Sequence, residues 1–183
     1  MHPLNNRTIE ANILNSTKIE IFHAGRQEIK VRALSWFFLL VGLGCLWWGY
    51  DLSQSYGLSP GDGGVLRPLA ERLAWGGFVA LFGLALIISM DLYGRLYICR
   101  VQLDPATSQV FFKTVHWWGF RQITTTASQI IGSSYHPGDF EGGDFTVNAP
   151  FYFVRLRGHS LPLILDGQGK FVQAKLAKKL LNL

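Results

Sequence analysis

Two stretches of this chain are apolar on every helical face. Ala33–Tyr50 and Leu73–Met90 each run without a His, Lys, Arg, Asp or Glu. With about 1.5 Å of rise per residue, such a run nearly crosses the ~30 Å hydrocarbon core of a bilayer. A core helix of a soluble protein rarely stays apolar all round for that length. The pattern predicts a two-helix transmembrane hairpin, with spans at about 33–50 and 73–92 and a connector at 51–72. It leaves a polar N-terminal segment, 1–32, and a C-terminal domain, 95–183.

From Leu96 the apolar period changes from helical to alternating. Leu96–Leu103 and Gln109–Val115 read as strands joined by the turn Asp104-Pro105-Ala106-Thr107-Ser108. A second turn, His116-Trp117-Trp118-Gly119, leads into Phe120–Thr126, which is rich in β-branched residues. Gln129–Ser133 is a weaker run, and the Gly-rich stretch His136–Asp144 reads as a loop. In the next run Phe151, Phe153, Arg155 and Arg157 alternate with Tyr152, Val154 and Leu156. Gly158-His159 then turns into a last strand, Ser160–Leu165. Past Gly167 the spacing becomes helical, with Val172, Leu176, Leu180 and Leu183 on one face and lysines on the remainder. The fold class expected is an α+β membrane protein. A transmembrane hairpin is followed by a small antiparallel β domain with a C-terminal amphipathic helix. Meander strands closed by one end helix suggest a barrel-like sheet similar to the pleckstrin-homology (PH) architecture.

Charge gives the hairpin an orientation. Five Lys or Arg precede the first span (Arg7, Lys18, Arg26, Lys30, Arg32), two lie in the connector (Arg67, Arg72) and ten follow the second span, beginning with Arg95 and Arg100. Positive charge near span ends marks the cytoplasmic side. Both termini are therefore expected in the cytoplasm, or on the matrix or stromal side in an organelle. The Gly- and Pro-rich connector should be a flexible loop on the other face. Trp36, Trp47, Trp48, Tyr50, Trp75 and Tyr93 sit near span ends, where amphipathic aromatics favour the interface. The net charge of +5 is spread along the chain without a nucleic-acid motif, so a nucleic-acid partner is not expected. The segment 1–32 is polar and mixed, which reads as no cleavable secretory signal and makes the first span an uncleaved anchor. The two cysteines, Cys45 in the first span and Cys99 beyond the second, fall near opposite membrane faces. They predict neither a disulfide nor a Cys-based metal site.

Small residues recur at helical spacing in both spans. Cys45 and Gly49 are four apart, as are Gly76 and Ala80, and Gly42, Gly44, Gly77 and Gly83 add to them. Such positions let helix backbones approach closely. They serve either to pack the two spans on each other or to dock a partner helix. The lack of ionisable His, Asp, Glu, Lys or Arg within either run disfavours transport relays, proton paths and bis-His haem.

In the C-terminal domain His116, Trp117 and Trp118 form the most unusual cluster. It reads as an aromatic tip for the membrane interface or a partner pocket, or as an ordinary hairpin with one ring packed inside. Arg100, Arg121, Arg155 and Arg157, with Lys175, Lys178 and Lys179, are candidates for anionic lipid headgroups, or a solvated face. His136, Asp139, Glu141 and Asp144 fit no strong metal spacing, and a polar loop is the default. His159, Ser160 and Asp166 lack the strand–turn–helix elbow and the Gly-rich oxyanion signature of a hydrolase triad. No phosphate-binding Gly loop occurs. No metal, cofactor or catalytic residue is therefore expected.

One resemblance covers most of the chain. Ile19-Glu20-Ile21-Phe22-His23 precedes the two-span hairpin, Tyr97–Asp104 leads into a β-hairpin and Phe171–Leu181 supplies the end helix. This layout resembles the group of transmembrane proteins 70, 186 and 223, and bacterial two-span proteins with PH-like domains. The resemblance rests on architecture and implies assembly or stabilisation of energy-transducing membrane complexes through protein contacts. Without an organelle-targeting segment, a bacterial inner-membrane member is the expectation. The function expected is a non-catalytic accessory or assembly subunit whose partners are integral membrane subunits. The alternative is a membrane-surface module binding anionic lipid through a basic face.

Overall fold

A computed structural model describes residues 18–181 apart from 60, 62, 143 and 144, and only the backbone of 140–142 and 145–147. Arg7, Asp144 and Leu183 lie outside these residues, as does the Glu141 side chain. The chain divides into two compact units, one of them Lys30–Arg95 and the other uniting residues up to Ile29 with those from Leu96 onward.

The helical unit is a hairpin of α1 (Arg26–Ser55) and α2 (Leu69–Leu96). Both helices extend beyond the apolar runs, and the connector shortens accordingly. Each contains a window apolar and long enough to cross a membrane, of which only 17% (α1) and 11% (α2) of residues are buried. What is buried is small: Ser35, Gly42 and Gly49 in α1, Gly76 and Gly83 in α2. Arg72 of α2 closes the connector end, its guanidinium donating to the Ser53 and Gln54 carbonyls at 3.3 and 3.4 Å. The last turn of α1 has no basic residue of its own, so Arg72 supplies the cation that a helix C-terminus favours. Near the other end of α2, Asp91 pairs with Arg95 one turn on.

The β unit is a curled, largely antiparallel sheet with a short end helix. Its strands are β1 (Ile19–His23), β2 (Tyr97–Asp104), β3 (Gln109–His116), β4 (Gly119–Thr126), β5 (Ile130–His136), β6 (Asp139–Gly142), β7 (Phe145–Asn148), β8 (Phe151–Leu156), β9 (Leu163–Asp166) and β10 (Lys170–Phe171), and α3 spans Ala174–Leu181. The main sheet runs β10-β1-β2-β9-β8-β5, with β3 and β4 extending from the other edge of β2. Buried Ala177 and Leu181 mark the inner side of α3, which lies against β1 and β5.

Four features depart from the sequence reading. Residues 19–23 form a strand of the sheet, not part of a separate N-terminal segment. β1 pairs antiparallel with β2, Ile19 opposite Leu103 and His23 opposite Arg100, and Ile21 and Phe22 enter the core. Second, the sheet is not wholly antiparallel. β1 occupies only the Arg100–Leu103 part of its edge of β2, and β9 takes the rest as a parallel neighbour, Tyr97 opposite Ile164. Third, the stretch expected to be a loop contains the β6–β7 ribbon, Asp139 opposite Asn148. Fourth, α3 starts at Ala174, so Phe171 belongs to β10 and Val172 is exposed. The buried stripe runs through Ala177 and Leu181 instead.

The alternation in β8 does hold, with Val154 and Leu156 buried and Arg155 exposed. In the β2–β3 turn the Asp104 carboxylate accepts the Ala106 N–H at 3.0 Å. The Thr107 hydroxyl, then the Ala106 and Thr107 N–H groups, hold that carboxyl below its ordinary pKa.

Candidate docking surfaces

The small residues of the hairpin meet each other. A Cβ on Gly49 would lie 2.5 Å from the Gly76 carbonyl oxygen and 2.9 Å from the Ala80 nitrogen. One on Gly42 would meet Ile87 at 2.6 Å and the Gly83 carbonyl at 2.7 Å, and one on Gly83 would meet the Cys45 Cβ at 2.6 Å. Gly42, Cys45 and Gly49 therefore face Gly83, Ala80 and Gly76 across the hairpin. Gly44 and Gly77 have open space beside them. Among Gly42, Gly44, Cys45, Gly49, Gly76 and Ala80, the positions singled out for packing or docking, only Gly44 is turned away from the other helix. The remaining outer surface is bulky and apolar, with Phe37, Leu40, Trp47, Phe78 and Leu81 all more than half exposed.

The β3–β4 turn carries the aromatic pair. His116 opposes Gly119 in the ladder, so Trp117 and Trp118 are the two residues of the turn. Trp118 is 82% exposed, the most exposed large apolar side chain among the described residues, while Trp117 is half-buried. Phe120, one residue into β4, is 46% exposed.

The basic residues do not gather on one face. Arg100 lies opposite Lys113 and projects with it, its guanidinium 5.8 Å from the Phe120 ring centroid. Arg121 lies opposite Thr114, whose side chain is buried, so Arg121 leaves the β2–β3–β4 ribbon on the other side. Arg155 leaves β8 away from the core, and Arg157 follows β8, its N–H donating to the Gln129 carbonyl at 2.8 Å. Lys175, Lys178 and Lys179 are exposed on α3. Arg100 and Arg121 thus fall on opposite sides of the ribbon, because adjacent ladder positions point to opposite sides of a strand.

A cluster that the sequence reading missed lies across β5 and β8. His136 stacks on Phe151 with ring centroids 5.2 Å apart and meets Phe153 edge-on at 5.0 Å. It ends β5 opposite Phe151 and is not a loop residue. The alternation in β8 was visible, but ending the preceding strand at Ser133 hid its partner. Asp166, named in the weak triad, is engaged elsewhere: its carboxylate accepts the Tyr97 hydroxyl at 3.0 Å and the Gln168 N–H at 2.7 Å. His159 and Ser160 are exposed beyond β8.

Cys99 is fully buried, its thiol donating to the Lys113 carbonyl at 2.9 Å. Burial, reinforced by the Glu28 carboxylate, pushes the thiol from 9.0 up to about 12. The unfolded chain therefore loses this proton above pH 9 while the folded chain keeps it. The contribution of Cys99 to stability is fully present below pH 9 and is lost as pH rises towards about 12. Unfolding followed from pH 8 upward should show this alkaline loss in the native chain, and a smaller one in Cys99→Ala compared with its own value at pH 8.

Comparison with protein-family models and with curated proteins found no match to this chain.

Proposed function

We propose that this protein is a two-span membrane protein acting as a non-catalytic accessory or assembly subunit of a larger membrane complex, bioenergetic in the reading its layout suggests. The observation that carries the proposal is the hairpin surface. Two helices of 30 and 28 residues pack on each other through glycine and cysteine, and leave their large apolar side chains outside. In water such a surface would drive association; in a bilayer it is matched to lipid and to partner helices.

The sheet supports the same topology. β1 precedes both helices and β2 follows both, yet they are hydrogen-bonded neighbours. In this reading the two strands lie on one side of the membrane, which is consistent with an even number of crossings. The excess of Lys and Arg outside the connector favours the cytoplasmic side of a bacterial inner membrane. A curled sheet closed by α3 supports a PH-like reading of the β unit, with β1 contributed from ahead of the hairpin.

The test is mild-detergent purification of the tagged native chain with mass spectrometry of what co-migrates at high mass. A stoichiometric set of integral membrane subunits is expected. A chain migrating alone, or only with lipid, would overturn the accessory-subunit reading in favour of a lipid-surface module.

A further inference from the structure

The β3–β4 turn has no role in the function proposed above, and its position in the sheet is informative. The chain leaves the sheet for α1 just after His23 and returns from α2 at Tyr97. His23 is opposite Arg100, so both crossings occur at the end of β2 where that strand begins. β3 runs antiparallel to β2 and returns to this same end. Ile98 lies opposite Thr114, and continuing that register brings His116 level with Leu96. The Trp117–Trp118 turn therefore lies at the end of the sheet from which the chain leaves for α1 and to which it returns from α2.

The chemistry at this tip is that of a bilayer interface. Trp118 is almost wholly exposed, Phe120 stands next to it, and His116 and Arg121 are exposed on either side. A Trp ring has an apolar body and one N–H donor, and it prefers the headgroup layer to either water or hydrocarbon. A neighbouring guanidinium suits phosphate. Buried in a protein core the ring would add stability, but in this turn it is presented outward.

We infer that the Trp117–Trp118 turn is an interfacial anchor, seating the Trp118 ring among the phospholipid headgroups of the membrane that the hairpin crosses. The inference rests on the membrane-spanning reading of α1 and α2. The anchor would give the β unit a second point of attachment besides its covalent links to the helices.

The test uses the full chain labelled with 5-fluorotryptophan in phospholipid nanodiscs. The six tryptophans give six fluorine resonances, and the Trp118 line is assigned by its loss in Trp118→Phe. Headgroup-spin-labelled lipid and a water-soluble gadolinium chelate are added in separate samples. The proposal expects Trp118 to be broadened several-fold more by the labelled lipid than by the chelate. Broadening by the chelate alone, with Trp47 and Trp75 still responding to lipid, overturns the anchor and leaves the spans standing. Protection of Trp118 from both agents also overturns it, by showing the ring packed within the protein. If no tryptophan responds to the lipid, the membrane-spanning reading itself fails and the anchor falls with it.

Discussion

Phe22→Ala is expected to destabilise the β unit by about 3–5 kcal/mol, the range for removing a buried aromatic ring from a core. The Phe22 ring is fully buried and lies 5.1 Å from that of Phe171. Gly169 closes over it, since a Cβ there would collide with the ring. The neighbourhood is held by backbone pairing on both edges of β1, with β10 on one side and β2 on the other. A relaxation that fills the cavity would have to move a strand. A domain of this size typically has about 5–15 kcal/mol of total stability, so the loss is a large fraction of it. Hydrogen exchange of the full chain in detergent should show the amides of β2 and β9 exchanging faster by two orders of magnitude or more. Unchanged protection there would mean that β1 is not an integral strand. By the same argument a fragment beginning at residue 95 should not melt cooperatively, because it lacks β1 and leaves the Arg100–Leu103 edge of β2 unpaired.

Gly49→Leu is expected to separate the two helices of the hairpin, whereas Gly44→Leu, earlier in the same helix, should leave them together. A Cβ at Gly49 meets backbone atoms of α2, which cannot rotate away as a flexible side chain can. Overpacking in a closely packed interface typically costs about 1–3 kcal/mol. Contact with backbone puts this case at the upper end. At Gly44 the same side chain projects into open space. Spin labels on exposed Leu43 and Leu84 would read the separation directly. A wider or broader distance distribution in Gly49→Leu than in Gly44→Leu supports the packing described. Equal distributions would show that the helices do not meet through Gly49.

The hairpin's existence was legible because an unbroken apolar run such as Ala33–Tyr50 is a local property. Several strands were legible for the same reason: alternation in Phe151–Leu156 and the turn residues around Asp104 and Gly158 act within a few positions. β1 was not, although Ile19-Glu20-Ile21-Phe22-His23 alternates briefly. Its partner β2 begins only at Tyr97, beyond the whole helical hairpin, so nothing local announces the pairing. The parallel β2–β9 contact was hidden in the same way, because it depends on how much of β2 the short β1 leaves free.

Among the candidate residues, the sequence by itself determined that small side chains line both spans and that a Trp pair fills a turn. Composition and spacing are enough for that. The tertiary structure decided which glycines face the other helix, because a helix turns about 100° per residue and separates Gly44 from Gly42 and Cys45. It also divided Arg100 from Arg121 by the register of β2, β3 and β4, since a strand sends successive side chains to opposite faces. And it brought the Trp117–Trp118 turn to the end of the sheet where the chain passes to α1 and from α2. That position follows from antiparallel pairing between strands, a long-range relation that no single stretch of the chain contains.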